Sequence, residues 1–323
     1  MGVAHDPDER ARRGLRLGVI ESTFDPLPID PAVSREWGRL AAAFEATNRG
    51  DSEAFVPADP GGPGAGPGNT RARAGRRERK LRAMPALTVT RTQTRWDVAF
   101  TNAPVNLVDP AMILELQALV DELERDPDVT VVVFTSDDEE HYLGPYDLSQ
   151  AADTPSTPGP TGLVPWLDLT VRLSRLPVVS IARLRGAARG VGAEFVYAAD
   201  LRFASLERTA IDQPEVSRGL VPGGGAIGRL PALAGRARAL EVILGSGVLD
   251  GATAERYGVV NRALPDGELD AFVDELADRL SQVDKGTLAT TKALIDATTL
   301  PENADLVAAY QAFFASAARL LAA

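Results

Sequence analysis

The sequence predicts an α/β protein whose strands and helices alternate, followed by a helical C-terminal region. Three observations carry this. Val129 to Phe134 is a continuous apolar, β-branched run, as in a strand buried on both faces. Ile113, Leu116, Leu119, Val120 and Leu123 recur at helical spacing. Between Leu87 and Ala204 the elements run β, β, α, β, loop, α, β, α, β, an order that implies layers joined by right-handed crossovers.

Leu87–Thr90 and Trp96–Phe100 read as two short strands. Asp109-Pro110 opens the first helix, because Asp caps a helix N-terminus and Pro fits its first turn. After Phe134 comes a polar stretch, then Tyr142-Leu143-Gly144-Pro145-Tyr146-Asp147. Residues 149–162 hold three prolines and two glycines and read as a loop. Trp166–Leu176 is helical in period, and Pro177–Ala182 is a strand. Gly186–Gly192 is a glycine turn leading into a helix with Glu194, Phe195 and Ala198. Leu201–Ala204 is strand-like, and helices dominate from Leu230.

The texture changes at Pro85, which divides the chain into an extension (1–84), a core domain (85–265) and a C-terminal helical region (266–323). Within the extension, Asp30-Pro31 with Trp37, Leu40, Ala41 and Phe44 is spaced for an amphipathic helix. Residues 57–68 are rich in Pro and Gly and should lack regular structure. Residues 71–82 carry seven basic groups against Glu78 and read as a solvated arm.

Composition excludes several functions. The net charge is −11, and residues 85–323 alone hold 33 acids against 20 bases, which argues against nucleic-acid binding. Without cysteine there is no disulfide, thiolate nucleophile or Cys-type metal site. His5 and His141 are the only histidines, too few for a multi-His metal site. No stretch approaches the ~18 apolar residues of a membrane span. The polar start MGVAHDPDERARRG is unlike a secretory signal, so a cytoplasmic location is expected.

Two glycine patterns invite a dinucleotide-binding reading: Gly186–Gly192, and Gly223-Gly224-Gly225-Ala226-Ile227-Gly228. Context argues against both. The first lies deep inside the α/β region, and no Tyr-x-x-x-Lys pair accompanies it: Leu201, Asn261 and Phe314 stand four residues after Tyr197, Tyr257 and Tyr310.

A second resemblance fits better. Pro177-Val178-Val179 leads to Gly186-Ala187-Ala188-Arg189-Gly190-Val191-Gly192-Ala193-Glu194, with Asp200 six residues on. Gln213-Pro214-Glu215 runs through Gly219-Leu220-Val221-Pro222-Gly223-Gly224-Gly225 to Arg229-Leu230, and Ala252–Asn261 follows. Together these segments resemble the crotonase (enoyl-CoA hydratase/isomerase) superfamily, weakly from about 85 and onward past Lys292. The resemblance implies a spiral of ββα units with a C-terminal helical region. It also implies trimers or dimers of trimers, which the apolar segment Leu306–Phe314 would suit as an interface.

The same resemblance implies the chemistry. Members hold an enolate-like oxyanion of a thioester on two backbone N–H groups, matched here by Tyr146 and Val191. Preorganised donors in a dry site suit such charge, and Val191 lies at a predicted helix N-terminus. Glu194 and Glu215 match the paired acid and base of hydratases; adding water across a double bond needs two proton movements, and neighbouring carboxyls split their proton affinities. Outside this pattern either glutamate would read as a solvated surface charge. Gly144, Tyr142, Gly190, Gly192, Trp166 and Asp212 are candidate substrate-binding residues, and Lys292 sits where relatives often hold CoA phosphates. No cofactor or metal is implied; the substrate would arrive as a CoA thioester.

Three departures stand out. Pro145-Tyr146 replaces small residues of the first oxyanion loop. Val191 replaces a glycine, which restricts φ there. Basic groups for CoA phosphates are sparse around Thr101–Asn106 and after Asp147. Three readings stay open: a hydratase or isomerase; a crotonase-like enzyme of cyclisation, decarboxylation or C–C bond chemistry on a substrate that need not carry CoA; and a non-catalytic scaffold.

Overall fold

A computed structural model describes residues 85–147, 150 and 153–322. The helix expected near Trp37, the Pro/Gly-rich segment 57–68 and the basic segment 71–82 lie outside the described residues.

Among the described residues, ten strands form two sheets. The larger orders β1 (Leu87–Arg91), β2 (Arg95–Phe100), β3 (Val131–Ser136), β5 (Val179–Leu184), β7 (Leu201–Ser205) and β10 (Arg262–Leu264). The smaller orders β4 (His141–Leu143), β6 (Ala187–Arg189), β8 (Ala210–Asp212) and β9 (Leu249–Asp250). The β1–β2 and β8–β9 pairs are antiparallel, while the other pairings are parallel. From β3 onward the chain visits the large sheet, then the small one, then a helix. Helix α2 (Pro165–Arg175) follows β3–β4, and α3 (Val191–Ala198) follows β5–β6. That is the ββα spiral the resemblance implied. The sequence reading missed β4, β6 and β8: three residues are too few to show alternation, and β6 lies inside what reads as a glycine turn.

Helix α1 (Pro110–Arg125) begins as expected: the Asp109 carboxylate accepts the Met112 N–H at 2.8 Å. Strand β3 shows why its run is apolar throughout. Val132 and Phe134 enter the main core, whereas Val131 and Val133 face a second cluster with Ile181, Phe203, Leu269 and Val273. The last two belong to α7 (Asp266–Ser281), which covers that face. Helices α4 (Ala226–Ala234), α5 (Arg236–Gly245) and α6 (Gly251–Tyr257) precede it; α8 (Lys285–Thr299) and α9 (Asn303–Ala322) complete the chain.

An aromatic cluster packs inside the main core. Phe195 meets Phe100 and Phe134 edge-on, with ring centroids 5.4 and 5.1 Å apart, and Tyr142 meets Phe100 at 5.4 Å. Such pairs contribute about 0.5–1.5 kcal/mol each beyond burial. Phe195 thereby anchors α3 and fixes the direction of its neighbour Glu194.

Candidate active site

The start of α3 is packed against the loop after β4. A Cβ on Gly192 would lie 2.0 Å from the Leu143 carbonyl oxygen and 2.8 Å from that of Gly144, so only glycine permits this approach. Gly190 takes the left-handed strain of the turn at φ 54°. Val191 is therefore the first residue of an ordinary helix, and its side chain does not disturb the turn. First-turn N–H groups have no intrahelical acceptor, so its N–H points out of the helix start. Opposite, Val108 N–H donates to the Pro145 carbonyl (3.1 Å) and Asp147 N–H to the Val108 carbonyl (2.8 Å). Because N–H groups alternate along extended chain, this ladder turns the Tyr146 N–H away from Val108. Asn106 stiffens the loop: its carbonyl accepts Gly144 N–H at 2.8 Å, and its side chain donates to Ser136 Oγ at 2.8 Å.

Pro145, Tyr146 and Val191 line a cleft of about 160 Å³ with Glu194, Glu215, Trp166, Ile113, Gly223 and Gly224. Glu194 is buried and Glu215 half-buried with its Oε2 enclosed, and their surroundings differ. Glu194 Oε1 accepts the N–H groups of Gly224 (2.9 Å) and Ala226 (3.1 Å). Burial raises Glu194 to about 7, against the pull of these donors and of the Arg229 guanidinium. Glu215 Oε2 is buried with no hydrogen-bond partner. Burial, then the charge of Glu194, raises Glu215 to about 8. The donors favour ionisation of Glu194, and Glu215 is the firmer holder of a proton.

The other expected site residues divide. Trp166 lies in the cleft wall. Tyr142 does not: it is fully buried, and its hydroxyl donates to the Phe134 carbonyl at 3.1 Å. Gly144 and Gly192 serve close packing rather than contact with the cleft. Gly190 lies behind Glu215, whose Oε1 would be 2.9 Å from a Cβ there. Asp212 is one layer back as well. Its carboxylate pairs with Arg189 at 2.9 Å and its carbonyl accepts Gly190 N–H. Lys292 is the clearest correction. Its buried Nζ donates to the carbonyls of Ser174 (2.7 Å) and Leu176 (2.9 Å) and pairs with Asp200 at 3.2 Å. It closes the C-terminus of α2 and has no donor left for a phosphate.

Sequence reasoning missed other residues. Arg218 lines the cleft three positions past Glu215. Arg229 is buried near Glu194, and Gln213 Nε2 donates to the Gly190 carbonyl at 3.2 Å. Tyr310, Phe313 and Phe314 of α9 also line the cleft. Their spacing of three and four residues was the available signal, but the sequence reading assigned that face to a subunit interface.

The profile of the family described as Enoyl-CoA hydratase/isomerase matches residues 94–319. The chain belongs to this family. A putative enoyl-CoA hydratase from Streptomyces avermitilis is 38% identical with a TM-score of 0.68, covering 73% of this chain and 88% of its own. An enoyl-CoA hydratase from Mycobacterium avium subsp. paratuberculosis is 26% identical with a TM-score of 0.63, covering 74% of this chain and 91% of its own. A probable mitochondrial enoyl-CoA hydratase of Dictyostelium discoideum is 28% identical over 60% of this chain and 68% of its own length. Membership of the family also fixes the crotonase superfamily fold. Among the described residues, no helix is long and apolar enough to cross a membrane.

Proposed function

We propose that this protein hydrates the double bond of an enoyl-CoA thioester. The observation that carries this is the pair of carboxyls, buried Glu194 and half-buried Glu215, held in contrasting surroundings in one cleft beside the start of α3. The water oxygen bonds to Cβ, and the π electrons move through Cα to the thioester oxygen. The N–H groups of Tyr146 and Val191 hold that oxyanion; losing one such donor typically costs ~10²–10³ in rate. Ionised Glu194, supported by two N–H donors, takes the proton from water. Protonated Glu215 gives its proton to Cα as the carbonyl re-forms. Water is consumed and the pair exchanges one proton overall, to be reset by solvent. Arg218 at the cleft wall is a cation available to an anionic part of the substrate.

The test follows loss of the conjugated-thioester absorbance of short enoyl-CoA compounds, with Glu194→Gln and Glu215→Gln as partners. Turnover by the natural chain and a fall of at least about 10² in each variant is expected. Turnover that survives both substitutions would overturn the reading.

A further inference from the structure

The cleft contains a buried donor without an acceptor. Trp166 is 8% exposed, and its indole Nε1 has no hydrogen-bond partner. A buried N–H left unmade destabilises a fold appreciably, so such groups usually serve a ligand or water. Its position is marked by Gly224. A Cβ there would lie 2.0 Å from Glu194 Oε2 and 2.6 Å from Trp166 Nε1. The two atoms thus lie near each other beside Gly224 in the cleft wall without bonding to each other. The Glu194 hydrogen bonds described above use Oε1, which leaves Oε2 outside them.

One is a donor and the other, when Glu194 is ionised, is an acceptor. An oxygen set between them must accept from Trp166 and donate to Glu194. A carbonyl or carboxylate cannot donate, and an ether cannot either; water and an alcohol can do both. We propose that Trp166 Nε1–H and Glu194 Oε2 together form a hydroxyl-selective subsite, which holds the attacking water and the β-hydroxyl of the 3-hydroxyacyl product. This rests on the hydration chemistry proposed above and adds the residue that positions its oxygen. With one lone pair engaged by Trp166 and one hydrogen by Glu194, the water keeps its second lone pair for Cβ. Trp166 can hold this geometry because its helix is fixed at the first turn: buried Asp168 of α2 accepts the Thr161 N–H at 2.9 Å and the Thr161 hydroxyl at 2.7 Å.

The test reads binding rather than turnover. The indole N–H resonances of the full-length chain are recorded with 3-hydroxybutyryl-CoA and with butyryl-CoA, which differ by the hydroxyl alone. Trp166→Phe, which keeps the ring and removes the N–H, identifies the Trp166 signal. The hydroxyacyl ligand should move that signal downfield while butyryl-CoA leaves it nearly in place. Trp166→Phe should cut the natural chain's preference for the hydroxyacyl ligand about fivefold, the worth of one hydrogen bond, while the bond to Glu194 keeps the rest. Equal movement with both ligands, no movement with either, or a preference as large in Trp166→Phe as in the natural chain would overturn the proposal. Failure of hydration itself shows separately in the absorbance assay, so the two readings fail independently.

Discussion

At the residue scale, the site depends on what surrounds two carboxyls. Both keep protons in the folded chain at pH values where an unfolded glutamate, near 4.5, has lost them. The folded state therefore binds more protons, and its stability falls as pH rises from about 4.5 through 7 and 8. Glu215→Gln removes that liability. Thermal melts should show the variant gaining on the natural chain by about 3 °C between pH 5 and pH 9; a gain that shrinks toward high pH would refute the assignment. Lys292 poses the opposite case. Lys292→Met leaves Asp200 buried without its cation and α2 without its closing donor, and should cost about 3 kcal/mol in denaturant unfolding. CoA affinity should not change. Glu194 and Glu215 were legible in the sequence because they lie in a dense local pattern. The role of Lys292 was not, since only folding brings it to the end of α2, 116 residues back along the chain.

At the element scale, α3 and the loop after β4 form the working unit. Their contact is backbone against backbone at Gly192, so nothing flexible can yield. Gly192→Ala should displace α3 relative to the loop and lower kcat by about 10², the usual penalty of a 1 Å misplacement. Circular dichroism should stay native. An alanine variant with full turnover would show that α3 is not positioned through this contact. Long elements such as α1 and β3 declared themselves through periodicity and a cap. The strands of the smaller sheet did not, because each is two or three residues long and is defined by its neighbours rather than by its own pattern. The aromatic face of α9 shows a related limit. Its amphipathic spacing was plain, but periodicity does not say which surface the face will cover, and here it covers the cleft of its own chain.

At the scale of the whole molecule, the ββα spiral delivers each site group to one place. Strands of the large sheet lead to short strands of the small one, and the turns beyond these carry Tyr146, Val191 and Glu215. The family match begins at residue 94, so the catalytic unit should not need the extension. A chain shortened to residues 85–323, which contains the whole family match, should fold and keep its turnover within about twofold, the scale of a neutral change. Loss of activity on shortening would assign the extension a part in the site. The architecture was legible from the order of elements and from the motif-bearing stretch around residues 176–261, whereas the cleft wall, with parts from α1, α2 and α9, joins residues from Ile113 to Phe314 that only the fold brings together.

The most direct measurement is hydration of crotonyl-CoA by the natural chain and by Glu215→Gln, followed through the thioester absorbance at pH 7.5. The expected result is steady turnover by the natural chain and a loss of at least about 10² in a variant that melts no lower. Equal rates in the two proteins, or no hydration by the natural chain, would contradict the paired-carboxyl mechanism.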